Sequence, residues 1–243
     1  MKLLNGAMLR TLQFGSMVVA TSALVACGGS GDSPGATVSG TAAVGAAMSN
    51  ASIVLACKNG AGSTTANANG AFSETFKFDG PCTITASNGT ITIHSFAAGA
   101  GVYNVTPLTE LLLSYLAAQL GTTVSGLLSG LTSNATYQSA LTNSTVIANA
   151  EAAVAQLIKS KYGITLSSSS FLTVSFTPGQ AGADADLDAL LAAGAITSDG
   201  QPAASLTAAV TAAGAAAPIS GGSNSGGATG GTGGTGGTGT TTK

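Results

Sequence analysis

Three groups of residues have the types and spacing to do chemistry. His94 is the only histidine of the 243 residues, so any Ser–His–Asp or Cys–His mechanism must use it. Between Thr90 and Phe96 it alternates with Ile91 and Ile93. That alternation puts it on the opposite, wetter face of a strand. No Gly-x-Ser-x-Gly nucleophile sits in a strand-to-helix context, so His94 is expected to be an exposed strand residue, without a catalytic role. Asp184, Asp186 and Asp188 begin a D-x-D-x-D pattern suggestive of calcium. An EF-hand needs Gly at its sixth position and Glu at its twelfth, and here those are Ala189 and Ala195. The acidic cluster is better read as complementing a helix N-terminus, leaving only a weak metal candidate. Cys57 and Cys82, 25 residues apart and with one histidine in the chain, cannot supply the usual four zinc ligands. Glu74 and Asp79 flank a β-run without an evident partner, and no phosphate-binding loop occurs. The expectation is therefore a protein with no catalytic residues, no cofactor and no metal.

Composition narrows the partners. Only 7% of residues are charged, against about 25% in an ordinary soluble domain, and this depletion suggests export. Lys2 and Arg10 lie in the segment expected to be removed, which leaves five lysines against nine acidic residues, a net charge of −4. Nucleic-acid binding needs clustered cations to neutralise phosphates, so that class is excluded, as is a basic surface for anionic lipid.

The first 26 residues are zoned like a secretory signal: Lys2 and Arg10 make a positive start, and Thr11 to Ala26 is an uncharged, mostly apolar run. At 16 residues the run is shorter than the ~20 that a spanning helix needs. It ends Leu24-Val25-Ala26-Cys27, followed by Gly28-Gly29-Ser30-Gly31. This resembles the lipobox of bacterial lipoproteins. The resemblance implies that Cys27 becomes a diacylated N-terminus (palmitate being the typical acyl chain), and that the mature protein is held to membrane by lipid. Gly28, where the family's inner-membrane retention signal has aspartate, favours the outer membrane by the same resemblance. Residues 27–37 read as a flexible tether. With Cys27 committed to lipid, Cys57 and Cys82 form an even pair in an oxidising compartment, which predicts a structural disulfide.

Residues 38–105 read as β. Ile53, Leu55 and Cys57 share a face, as do Phe72, Phe76 and Phe78, and then Cys82, Ile84 and Ala86. Asn59-Gly60, Asn69-Gly70 and Asn88-Gly89 fall between apolar runs as hairpin signals. About seven short strands at this spacing predict a small antiparallel sandwich. The stretches Val38-Ser39-Gly40-Thr41, Ala51-Ser52-Ile53-Val54-Leu55 and Ala66-Asn67-Ala68-Asn69-Gly70-Ala71-Phe72 resemble the transthyretin-like, carboxypeptidase-regulatory type of Ig-like module. Asn67 stands where that family usually has aspartate.

At Thr106-Pro107-Leu108-Thr109-Glu110 the period changes to helical. Thr106 can cap, Pro107 suits the first helical position and Glu110 the first turn. Leu108, Leu111, Leu112, Tyr115 and Leu116 then fall on one face. Further helices are predicted over 145–162, 183–193 and, weakly, 203–213, making 106–217 an alanine-rich helical region. A strand-rich module followed by this motif and such helices resembles envelope lipoproteins of Gram-negative bacteria, a resemblance that carries no activity. Residues 218–243, with repeated Gly-Gly-Thr, lack the apolar surface to offset ordering entropy and are expected to be disordered. Together these readings give an α+β chain with signal (1–26), tether (27–37), β-module (38–105), helical region (106–217) and tail (218–243). The function expected is a non-catalytic, membrane-anchored lipoprotein presenting a surface to a protein or glycan. The alternative is an accessory component of an envelope or secretion assembly.

Overall fold

The structure, a computed structural model, describes residues 35–219. The expected signal, the lipobox with Cys27 and most of the expected tail lie outside the described residues. Alternating runs punctuated by turns become seven strands: β1 (Ala36–Thr41), β2 (Ser52–Ala56), β3 (Ala61–Thr65), β4 (Ala71–Phe76), β5 (Cys82–Ser87), β6 (Thr92–Ala97) and β7 (Gly101–Val102). Strand β1 begins two residues inside the stretch expected as tether. The strands form a three-stranded sheet, β4-β1-β7, and a four-stranded sheet, β3-β2-β5-β6.

All pairings are antiparallel except β1 with β7, which is parallel. The wholly antiparallel expectation fails at that pair because the chain leaving β6 crosses to the other sheet and runs alongside β1 in the same direction. Tyr103 N donates to Ser39 O at 2.7 Å and Val105 N to Thr41 O at 3.0 Å, so the chain reaches the first helix still pinned to β1.

Two Asn-Gly pairs lie in hairpin loops, Asn59-Gly60 joining β2 to β3 and Asn88-Gly89 joining β5 to β6. Asn69-Gly70 instead carries the chain from one sheet to the other. Asn67 Oδ1 accepts from Asn69 N at 2.9 Å and Ala71 N at 3.1 Å, and Gly70 takes φ +74°, a left-handed conformation that favours glycine. Where β3 approaches β4, a Cβ on Gly62 would press on the Phe76 ring and the Glu74 stem. Glycine there lets the margins of the two sheets close together.

Six helices follow: α1 (Pro107–Gln119), α2 (Val124–Gly130), α3 (Ala135–Thr142), α4 (Ser144–Tyr162), α5 (Ala183–Ala192) and α6 (Ala204–Ala215). Sequence reading missed α2 and α3, whose Gly, Ser and Thr content is poor for helix. Side-chain caps help them form: Thr123 accepts from Gly126 N, and Asn134 from Thr136 N and Tyr137 N. Helix α1 is not one-faced as expected. Leu108, Leu111, Leu112, Leu113, Tyr115, Leu116 and Ala117 are all buried, because β6, α2, α4 and α6 surround it. Helix α6 comes close enough that a Cβ on Gly214 would overlap the Tyr115 carbonyl. Among the described residues no single helix is long and apolar enough to cross a membrane.

One apolar core runs through both parts, from Ile53, Ile84 and Phe72 to Leu112, Val154 and Leu206. The change at residue 106 is thus a change of secondary structure without a break in packing. The long connection between α4 and α5 closes this core through Asn104, which is 0% exposed. Its Nδ2 donates to Phe171 O at 3.1 Å and Val174 O at 2.6 Å, and its Oδ1 accepts from Thr41 N at 3.3 Å.

Candidate functional site

The Thr-Pro-Leu-Thr-Glu motif does more than start a helix. Thr106 is the N-cap residue and Pro107 the first helical residue, as the sequence suggests. The hydroxyl that serves the cap belongs to Thr109, which accepts from Thr106 N at 3.0 Å. The same hydroxyl lies 2.9 Å from His94 O, to which it can donate. One residue on, Glu110 Oε1 accepts from His94 N at 2.6 Å and lies 2.7 Å from His94 Nδ1. The motif therefore clasps the free margin of β6 at one residue. Gln201 extends the clasp by donating from Nε2 to Thr92 O at 3.1 Å. An open strand margin invites unwanted pairing, and here it is covered.

His94 is therefore not the isolated surface residue expected. Its side chain is 30% exposed and that of Glu110 is 13% exposed. The Glu110 hydrogen bond raises the His94 pKa above its ordinary value, burial of the ring opposes this, and the carboxylate's charge adds to the rise. A carboxylate fixing Nδ1 leaves Nε2 as the free polar edge of the imidazole. His94 and Glu110 both line a groove of about 480 Å³, walled by β6 and α2. Val124 and Leu128 give it an apolar side, and Ser125, Ser129 and Gln201 a polar one. The chemistry available is hydrogen bonding and proton exchange at one imidazole.

Other expected site residues are scattered. Cys57 and Cys82 are joined by a disulfide that ties the end of β2 to the start of β5. Asp184 and Asp186 lie in the first turn of α5, where their charge suits the helix dipole. They point to different partners: Asp184 accepts from Gly179 N at 2.6 Å, and Asp186 from the amide and hydroxyl of Ser167 at 2.8 and 2.7 Å. Asp188 is exposed. Among the described residues no three His, Cys, Asp or Glu side chains are grouped to hold a metal ion. Asp79, between β4 and β5, accepts from the side chain of Asn59 in the β2–β3 loop, and Glu74 lies on β4. Cys27 lies outside the described residues.

Two polar residues escaped sequence reading. Asn104 looks like any loop asparagine until the three hydrogen-bond partners of its side chain are placed around it. Glu151, at 5% exposure in α4, accepts from Leu172 N at 2.8 Å. Burial raises its pKa to about 6, and the Leu172 hydrogen bond works against that rise. Its position among Ile147, Ala150 and Val154 on the buried side of α4 is the one sequence signal that pointed to it.

The outer face of the four-stranded sheet is a second feature. Register aligns Thr65, Ser52, Ser87 and Thr92 in one row and Ser63, Val54, Thr85 and His94 in the next. Strands β2, β3, β5 and β6 contain no Asp, Glu, Lys or Arg, and Val54 stands 47% exposed at the centre. Compared with protein-family models, curated proteins and solved structures, the chain matches none.

Proposed function

We propose that this chain is a lipid-anchored envelope lipoprotein, its body displayed on the membrane as a non-catalytic binding module for a protein or glycan. The observation that carries the reading is Leu24-Val25-Ala26-Cys27 at the end of a correctly zoned signal, followed at once by Gly and Ser. Gly28 favours the outer membrane. A disulfide between Cys57 and Cys82 suits an oxidising compartment. Seven strands in sheets of three and four support an Ig-like or transthyretin-like identity for the β-part. The most elaborate polar cluster, His94 with Thr109 and Glu110, is engaged in joining helix to strand, which favours binding over catalysis. Lipid anchoring would raise the local concentration of the module at its membrane.

The test is to express the full chain and Cys27→Ser with radiolabelled palmitate and to fractionate the cells. The reading expects label and membrane association in the first and neither in the second. Equal fractionation of the two would refute it. Protease treatment of intact cells carrying a C-terminal tag then separates surface display, where the tag is lost, from a periplasmic body, where it is protected until lysis.

A further inference from the structure

We propose that the groove between β6 and α2 is a binding site for a neutral, N-acetylated sugar. The proposal rests on reading the chain as a binding module and names the ligand class of one site. The chemistry of the groove is unusual for so charge-poor a protein. Its two ionisable side chains, His94 and Glu110, are hydrogen-bonded to each other, and the other lining residues, Thr92, Val124, Ser125, Leu128, Ser129 and Gln201, carry no charge. What remains are hydrogen-bonding groups of both kinds beside an aliphatic surface. Ser125 and Ser129, four residues apart on α2, bring two hydroxyls: that of Ser129 donates to Gly126 O at 3.3 Å and can still accept, while that of Ser125 can donate and accept. Gln201 spends its amide nitrogen on Thr92 O, which leaves its carbonyl oxygen to accept. His94 presents Nε2.

An acetamido group matches this inventory. Its methyl suits Val124 and Leu128, its N–H suits the Gln201 oxygen, and its carbonyl suits the Ser125 hydroxyl. The ring hydroxyls of a sugar, each both donor and acceptor, suit the serines. A cavity of about 480 Å³ falls within the usual range for small-molecule sites, roughly 300–1,000 Å³. The imidazole is also held still: Glu110 fixes Nδ1 and Thr109 fixes the backbone behind it, so little ordering is required on binding. The aliphatic wall stands where a sugar site often has a Phe, Tyr or Trp platform, which the lining of this groove lacks, and this predicts weak affinity.

The experiment uses the full chain solubilised in detergent, with N,N′-diacetylchitobiose as probe and maltose as the sugar without an acetamido group. Saturation-transfer NMR and calorimetric titration read the binding. Saturable binding of chitobiose is expected, with its acetamido methyls receiving the strongest transfer and maltose binding at least tenfold more weakly. Leu128→Trp, which fills the groove, should abolish binding while circular dichroism stays unchanged. Ser129→Ala, an exposed position, should weaken it by about three- to tenfold, the net worth of one hydrogen bond. No saturable binding by the wild type, or undiminished binding by a folded Leu128→Trp, overturns the site. Equal binding of maltose overturns the ligand class. None of these readouts depends on Cys27, so a chain that is membrane-anchored but silent to chitobiose refutes this proposal alone. A chain that binds the sugar without acquiring lipid refutes the anchoring instead.

Discussion

Cys57 and Cys82 join β2 to β5 by a covalent bond, whereas β6, at the margin of the same sheet, is held by Thr109, Glu110 and Gln201 through hydrogen bonds. The two fastenings serve different ends. The disulfide limits the unfolded chain, is indifferent to moderate pH and works within the β-part. The clasp joins the β-part to the helices, satisfies a strand margin and contains the one imidazole of the protein. A covalent bond suits strands already paired, and a polar clasp suits elements of different kind that meet only after folding. The comparison can be broken by removing each fastening in turn.

Losing the disulfide should have the largest effect. A closed loop of 25 residues is worth about 3–4 kcal/mol on the chain-entropy account. Urea denaturation of Cys57→Ala/Cys82→Ala, or of the wild type under reductant, should show that loss almost equally at pH 6 and pH 9. A loss that varies strongly with pH would mean that the bridge and the clasp are coupled.

Glu110→Gln comes next, at about 1–2 kcal/mol for a charge-assisted hydrogen bond reduced to a neutral one. Its pH dependence distinguishes it from the disulfide. The folded protein raises the His94 pKa, so it holds the proton more tightly than the unfolded chain does. The resulting stabilisation is complete below the ordinary histidine value and is lost as pH rises through the raised one. The gap between wild type and Glu110→Gln should therefore narrow on going from pH 5.5 to pH 9. NMR titration should show His94 returning toward its ordinary value in the variant. An unmoved His94 would mean that the pair does not form in solution.

Glu151 sharpens the contrast from the helical side. Its carboxyl is buried against Leu172 N, with no cationic partner among the described residues. A folded-state pKa of about 6 means that the native protein favours the protonated form. The associated stability is present below the ordinary carboxyl range and is lost as pH rises through about 6. Glu151→Gln should consequently be more stable than wild type at pH 8, by about 1–2 kcal/mol, and equal to it near pH 4. A variant less stable than wild type at both pH values would show that the carboxylate has a partner beyond Leu172.

Much of the fold was legible because its signals are local. Ile53, Leu55, Ile84 and Ile93 announce buried strand faces by alternation, and all four are buried. Pro107 marks a helix start because its ring suits only that position. Helices α2 and α3 were illegible, since their residues favour turns and the caps at Thr123 and Asn134 resemble ordinary loop polarity. The site was less legible than the fold. Alternation correctly put His94 on the outer face, but it said nothing of a helix arriving on that face with Glu110 in reach. Phe96, on the same face two residues along, is 0% exposed because the helical layer covers it. That burial was the overlooked hint that the face is not wholly wet.

The sequence by itself determined what depends on neighbours along the chain. These are the period of each strand and long helix, the first turn of α1 and the neutrality of the strands. The tertiary structure decided everything that required distant segments to meet. It set β7 parallel to β1, turned Asn69-Gly70 from a hairpin into a crossing between sheets, and buried α1 on all sides. It also brought Gln201 to Thr92 and Glu110 to His94. The physical reason is that periodicity and capping are properties of a few consecutive residues. A hydrogen bond between residues 16 or 109 positions apart exists only once the whole core has placed both ends.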